Sequence, residues 1–252
     1  MGHLLRTRLG KDIVAEFLVP TRRHRKQKVV LLYGGAPSVP EKEELIVALS
    51  KCGYWVFFSR LRGSWESDGE FLEHSPEEDV YIALNALSAG FRDLFSGERY
   101  MLSPDAVFLV GSSFGGPAAL LASKDDRVSA SVALSPVIDW RDEVDEPFEE
   151  LYRFTQEAFG GAYRGPKRNW NKLLTGQFYS PAAEAEGLPG DKMHIIQAEN
   201  DRIVPVESAD RFVKQTGAQY IRLRRGGHLG LSSLLKRAHF TRLLTIFSRY
   251  EN

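Results

Sequence analysis

The sequence predicts an α/β fold: a doubly wound, mostly parallel sheet carrying a small helical cap insertion. Three observations carry that expectation. Short apolar runs rich in β-branched and aromatic residues alternate along the chain with stretches of helical spacing. These runs are apolar at nearly every position, as strands covered on both faces must be. The third is a strand-turn-helix pattern: Ala106-Val107-Phe108-Leu109-Val110, then Gly111-Ser112-Ser113-Phe114-Gly115-Gly116, then Pro117-Ala118-Ala119-Leu120-Leu121-Ala122-Ser123. A buried strand there meets a helix through a sharp glycine turn.

The elements follow in order. Residues 13–19 read as a strand closed by Pro20, and a basic stretch over 21–28 leads to Val29-Val30-Leu31-Leu32-Tyr33, which ends in Gly34-Gly35. Residues 41–50 have helical spacing, with Leu45, Val47, Ala48 and Leu49 as apolar members. A strand over 54–59 and a helix over 76–88 precede the strand and helix of the glycine turn. The strand over 128–134 stops at Ser135-Pro136. Met193-His194-Ile195-Ile196-Gln197 and Gln219-Tyr220-Ile221-Arg222-Leu223 are two further strands around a helix at 206–216, and 231–248 reads as a closing helix.

Between Trp140 and Leu188 the rhythm breaks for about 50 residues, a length that in a compact fold is more often functional than idle. The expectation is one domain over 1–252 with a cap insertion at 141–188, built from a helix over 148–159 and its return over 169–178. The insertion opens with Asp139, Asp142, Glu143, Asp145, Glu146, Glu149 and Glu150. A solvated acidic face is the simpler reading of that cluster, and selection of cationic substrates the sharper one.

Composition narrows the function classes. The 252 residues are 43% hydrophobic and 26% charged, which suits one globular domain with a substantial core. Lys+Arg and Asp+Glu are 33 each, so no net field argues for nucleic acid or an anionic membrane. The stretch Arg22-Arg23-His24-Arg25-Lys26-Gln27-Lys28 lacks interleaved aromatics and reads as a solvated loop. The single cysteine, Cys52, excludes an intrachain disulfide and suits a reducing compartment; beside an apparent strand it reads as a buried structural thiol. With no signal-like apolar region near the start and no run long enough to span a bilayer, the expected location is cytoplasmic.

Ser113 at the glycine turn is a candidate nucleophile, because such a turn exposes Oγ and aims the N–H of Phe114 at a developing oxyanion. A serine hydroxyl needs a general base, and the base needs an orienting carboxylate. In a doubly wound sheet both should sit on loops after later strands, at the edge that carries the serine. His228, flanked by Gly226, Gly227 and Gly230, is the histidine with that placement; His3, His24, His74, His194 and His239 lie elsewhere. Asp201 competes with Glu199 for the acid and is favoured by its shorter side chain and by Val204-Pro205, which set the loop's direction. The second oxyanion donor is expected from the backbone of Gly34, Gly35 or Ala36, with the Tyr33 hydroxyl as a further donor. Candidate pocket liners are Trp65, Phe148, Tyr152, Phe159, Tyr163 and Trp170, though aromatics at helical spacing are more often core. No cofactor and no metal are expected.

With these residues in hand, the chain resembles the α/β-hydrolase superfamily, and within it the catalytic domain of the prolyl oligopeptidase (S9) family. The resemblance rests on Tyr33-Gly34-Gly35-Ala36-Pro37, Arg62-Gly63-Ser64, the Ser113 turn, Ser135-Pro136-Val137-Ile138-Asp139-Trp140, residues 201–205 and Gly227-His228. It implies a triad of Ser113, Asp201 and His228, in the chain order of α/β-hydrolases, and an oxyanion role for the tyrosine at position 33. Asp79 and Trp140 match recurring residues and are read as structural. S9 peptidases carry a β-propeller ahead of this domain, for which 252 residues leave no room; a small-ester or acyl hydrolase is then favoured over a peptidase.

The expected function is a serine hydrolase cleaving an ester or an amide/peptide bond through an acyl-enzyme. An acyltransferase and a non-catalytic binding or scaffold protein are the alternatives. The expected partners are a small-molecule ester or short peptide, with a homo-oligomer as a further option, and neither nucleic acid nor membrane.

Overall fold

The computed structural model describes residues 4–22, 25–40, 43–142 and 148–251. Its main sheet contains β1 (Leu5–Leu9), β2 (Ile13–Leu18), β3 (Lys28–Tyr33) and β4 (Tyr54–Ser59). A two-strand ribbon, β5 (Phe91–Arg92) and β6 (Arg99–Tyr100), follows outside it. The sheet continues with β7 (Ala106–Ser112), β8 (Ala130–Leu134), β9 (Met193–Ala198) and β10 (Gln219–Leu223). Its strand order is β1-β2-β4-β3-β7-β8-β9-β10. The first two pairings are antiparallel; from β4 across to β10 every pairing is parallel. Parallel neighbours need crossover connections, which place helices on both faces. The helices are α1 (Glu43–Lys51), α2 (Glu77–Ala89), α3 (Gly116–Leu121), α4 (Phe148–Phe159), α5 (Lys167–Asn171), α6 (Pro181–Glu184), α7 (Val206–Thr216) and α8 (Arg237–Ser248).

Side chains that alternate along a strand divide the core into two layers. Val29, Leu31 and Tyr33 of β3 pack in one layer and Val30 and Leu32 in the other. In β7, Val107 and Leu109 oppose Phe108 and Val110 in the same way. The first layer is completed by α2, α3, α7 and the insertion, the second by α1 and α8. Phe108 stacks on Phe247 of α8 with ring centroids 4.1 Å apart; burying a side chain of that size stabilises the fold by about 1.5–3 kcal/mol.

The differences from the sequence reading have local causes. β1 went unread because its alternation is carried by Leu5, Thr7 and Leu9, with a buried threonine in the middle and Arg6 and Arg8 between. It is a charged edge strand. The closing helix is broken: a 3₁₀ turn at Leu231–Leu235 ends at Lys236, whose extended backbone restarts the chain as α8. The return of the insertion is likewise not one helix. α5 gives way to a 3₁₀ turn at Leu173–Thr175, and Gly176, left-handed at φ 69°, stops it. Residues 41 and 42, expected in α1, lie outside the described residues, as do Arg23 and His24 of the basic stretch. Of that stretch, Lys26 and Lys28 reach the C-terminal segment and bond to Glu251. Cys52, expected inside, is half-buried. No described helix is long and apolar enough to cross a membrane.

One buried group makes the fold sensitive to pH. His194 of β9 is 1% exposed, with Nε2 3.0 Å from the Tyr250 hydroxyl. Burial first, and the Arg249 charge second, hold its pKa down to about 4 from 6.5. Between those values the unfolded chain binds a proton that the folded chain refuses. Stability therefore falls as pH falls through this window, by up to about 3 kcal/mol. Urea midpoints measured from pH 7 to 4.5 should fall less steeply in His194→Gln than in the wild type; identical slopes would exclude this histidine as the cause.

Candidate active site

Ser113 sits immediately after β7 at φ 51°, a left-handed conformation that non-glycine residues adopt at a cost of about 1–2 kcal/mol. The turn persists because backbones close in on each other around it. A Cβ on Gly111 would lie 2.2 Å from the carbonyl oxygen of Gly115, and one on Gly115 would lie 2.4 Å from that of Tyr33. Only glycine fits at either position. The turn leads into α3, so the N–H of Phe114, in the first turn of the helical segment, has no intrahelical acceptor.

Asp201 and His228 come together from the loops after β9 and β10. His228 Nδ1 stands 3.1 Å from both carboxylate oxygens. The Asp201 side chain is fully buried, and that of His228 is 25% exposed. Asp201 Oδ1 also accepts the N–H groups of Ile203 and Val204, at 2.9 and 3.2 Å. Burial by itself would raise the Asp201 pKa. Hydrogen bonds from His228, the Ser135 hydroxyl and the Ile203 N–H outweigh it and hold the carboxyl below its usual range. Glu199, the competing acid, instead pairs with Arg222 at 3.3 Å.

Two residues to which the sequence assigned no role in the site fix the histidine loop. Asn200 Oδ1 accepts the N–H groups of Gly226 and Gly227 at 2.9 and 3.0 Å. Ser135, fully buried after β8 with φ 42°, accepts the N–H of Leu229 at 3.0 Å while its hydroxyl faces Asp201. Their signal was adjacency: each lies on a loop at the same sheet edge, one of them next to the predicted acid. Ser113 Oγ and His228 Nε2 make no hydrogen bond, to each other or elsewhere among the described residues.

On the other side of Ser113 lies the loop after β3. A Cβ on Gly35 would lie 3.3 Å from Ser113 Cβ and 3.7 Å from its Oγ, so the Gly35 backbone borders the hydroxyl. Tyr33 does not. Its side chain is in the core, 1% exposed, with the hydroxyl beside Ser59 and near Asp79. Burial first and the Asp79 charge second push its pKa well up, only partly opposed by Ser59. A phenol at the end of a strand points to one face of the sheet, and here that face is the interior. Tyr33 is therefore corrected from oxyanion donor to core residue. Asp79, read as structural, accepts from the Arg62 N–H at 2.8 Å and from its guanidinium.

A cavity of about 280 Å³ opens at Ser113. It is lined by Ala36, Phe114, Val137, Ile138, Trp140, Leu151, Ile203, Val204 and Pro205, with Asp139, Asp142 and Arg202 also bordering it. Most of the expected aromatic liners are elsewhere. Trp170 is fully buried, tilted 5.1 Å from Phe71, and Tyr152 packs edge-on against it at 5.7 Å. Trp65 donates from its indole to the Ser38 carbonyl at 3.1 Å and borders a smaller cavity with Tyr163, while Phe159 packs edge-on against it. The side chain of Phe148 lies outside the described residues. Tyr152, Phe159, Tyr163 and Trp170 pack between the insertion and the core, where large rings bury more area against each other than against a small pocket. The actual liners were adjacent to the predicted site in sequence: Val137 and Ile138 follow Ser135, and residues 203–205 follow Asp201. Trp140, read as structural, is both a liner and a support: its indole donates to the Tyr179 carbonyl at 2.7 Å and its ring lies 5.2 Å from Phe114.

The acidic opening of the insertion is largely neutralised where it is described. Asp139 binds Arg141 at 2.7 Å, and Asp142 binds Arg211 at 2.7 Å and the Ser208 hydroxyl. Glu149 pairs with Lys167, and Glu150 faces Arg153; Glu143, Asp145 and Glu146 lie outside the described residues. No cluster of three or more His, Cys, Asp or Glu suited to a metal occurs among the described residues.

Replacing Ser135 tests this geometry. Ser135→Ala leaves the Leu229 N–H buried without an acceptor, which costs about 1–3 kcal/mol, and loosens both Asp201 and the histidine loop. Urea denaturation should register that loss as a lowered midpoint. A wild-type midpoint would remove Ser135 from the assembly.

Comparison with known proteins agrees with this architecture. A family model described as the alpha/beta hydrolase family matches residues 40–238. No curated protein sequence matches the chain. Among solved structures, the esterase Pf2001 of Pyrococcus furiosus superposes with a TM-score of 0.66 at 14% identity, covering 99% of this chain and 91% of the esterase. The alpha/beta hydrolase GrgF of Penicillium sp. sh18 gives 0.64 at 14% identity, covering 95% of this chain and 94% of its own. At such identities these likenesses speak to the fold, which both share with this chain. With the family match spanning most of its length and the sheet order described above, the chain belongs to the alpha/beta hydrolase family.

Proposed function

We propose that this protein is a serine hydrolase that cleaves carboxylic esters through an acyl-enzyme. The observation that carries the reading is the buried Asp201 carboxylate paired with His228 Nδ1, at the sheet edge where Ser113 is held on a strained turn. The pairing puts the proton on Nδ1 and leaves Nε2 basic, the tautomer a general base requires. Ser113 Oγ attacks the carbonyl carbon as His228 takes its proton. The N–H groups of Phe114 and Gly35 receive the oxyanion, and the imidazolium then protonates the departing alcohol. Water, deprotonated by His228, attacks the acyl-enzyme and frees Ser113. The Ser113–His228 hydrogen bond forms as substrate seats, since such contacts tighten in the Michaelis complex. The mostly apolar cavity beside Ser113 supports an acyl chain as its occupant, and the esterase among the structural neighbours accords with this choice.

A fluorophosphonate probe followed by mass spectrometry tests the proposal. Label on Ser113 in the wild type, absent from Ser113→Ala, is the expected result, with ester hydrolysis falling by about 10³-fold or more in the variant. Folded wild-type protein that takes no label would overturn it.

A further inference from the structure

The cavity at Ser113 is bordered by three charged residues, and they are not equivalent. Asp139 is held by Arg141 through two hydrogen bonds, at 2.7 and 3.0 Å, and Asp142 by Arg211 and Ser208. Both carboxylates are thus neutralised by partners that stand outside the cavity lining. Arg202 has no ion pair and no side-chain hydrogen bond among the described residues, and its surface is exposed. Among the described residues, the only unneutralised charge bordering the cavity is therefore positive.

Its position is also tied to the reaction. Asp201 Oδ1 accepts the N–H groups of Ile203 and Val204, closing a tight turn with Arg202 at its apex. The same carboxylate holds His228. The backbone that presents the guanidinium is thus fixed by the residue that orients the base. Val137, Ile138, Leu151, Val204 and Pro205 line the same cavity as Ser113 with apolar side chains. In an acyl-enzyme the acyl chain stays covalently attached to Ser113 Oγ, which borders this cavity, so the acyl chain is the part of the substrate that the cavity can hold through both steps. A guanidinium bordering the same cavity can meet a group that the chain carries, and its planar fork matches a carboxylate with two parallel hydrogen bonds.

We infer that Arg202 selects acyl esters whose chain ends in a carboxylate, an inference that rests on the hydrolase reading above. The substrate class is the half-ester of a dicarboxylic acid: an apolar methylene chain with a hydrolysable ester at one end and a free carboxylate at the other. Hydrolysis leaves the dicarboxylate and the alcohol.

A matched pair of substrates isolates the effect. Phenyl hexanoate and the monophenyl ester of hexanedioic acid have six-carbon acyl chains that differ only in the terminal carboxylate. The quantity to read is the ratio of kcat/KM for the acid-terminated ester to that for the neutral one, in the wild type, Arg202→Gln and Arg202→Glu. The ratio should exceed one in the wild type and fall about tenfold in Arg202→Gln, mainly through KM, as expected for loss of a charge-assisted pair. It should fall further in Arg202→Glu, and the wild-type ratio should shrink as salt is raised. Ratios that are equal in all three proteins would overturn the inference while turnover of phenyl hexanoate leaves the hydrolase reading standing. Failure of the wild type to hydrolyse either ester, with Ser113 labelled by the fluorophosphonate, would also overturn it. Absence of label would remove the hydrolase reading and this inference together.

Discussion

The close approach of backbones around Ser113 is the constraint on which the rest of the site depends. Residues 111 and 115 must both be glycine, because a single methyl group at either would overlap a carbonyl oxygen. That contact locks β7 and α3 to the end of β3, and it forces Ser113 into a left-handed conformation that it would not adopt alone. The hydroxyl is thereby raised out of the sheet between two loops, one bringing the Gly35 backbone and the other bordering the cavity. A less crowded turn would relax the serine and separate it from both.

The opposite half of the site is held by hydrogen bonds in place of steric crowding. Asp201 is surrounded by donors from its own loop, from Ser135 and from His228, which keeps it ionised although its side chain is out of contact with water. A buried carboxylate so satisfied fixes the histidine's tautomer as well as its place. Asn200 and Ser135 extend the arrangement by supplying acceptors to backbone N–H groups of the histidine loop. The glycines there allow the loop to bend, and these two side chains decide where it stops.

Much of this was legible in the sequence, for reasons of period and position. Strands 54–59 and 219–223 and helices 148–159 and 206–216 coincide with the observed elements. Each is a short apolar run or an amphipathic stretch with clear stops. Asp201 and His228 could be paired because loops after late parallel strands share one edge. What the sequence left undecided was which way a side chain faces and what it packs against. Tyr33 and Trp170 carry polar atoms suited to a site, yet both rings are interior, since burial of a large aromatic outweighs exposure of its polar tip. β1 was hidden because a buried threonine breaks its apolar count. Val137, Ile138, Ile203 and Pro205 give no chemical signal of their own, and only the folding of two loops against Ser113 makes them a cavity.

The bond from the Leu229 N–H to Ser135 joins residues 94 positions apart in the chain. It depends on β9 lying between β8 and β10 and on the entire insertion being accommodated, and it is a contact of high sequence separation, as the β3–β7 pairing is. The arrangement of acid and histidine is therefore a property of the completed sheet, not of any sub-assembly. A chain arrested before β10 docks would have its glycine turn, and still lack the loop that brings His228 to Asp201.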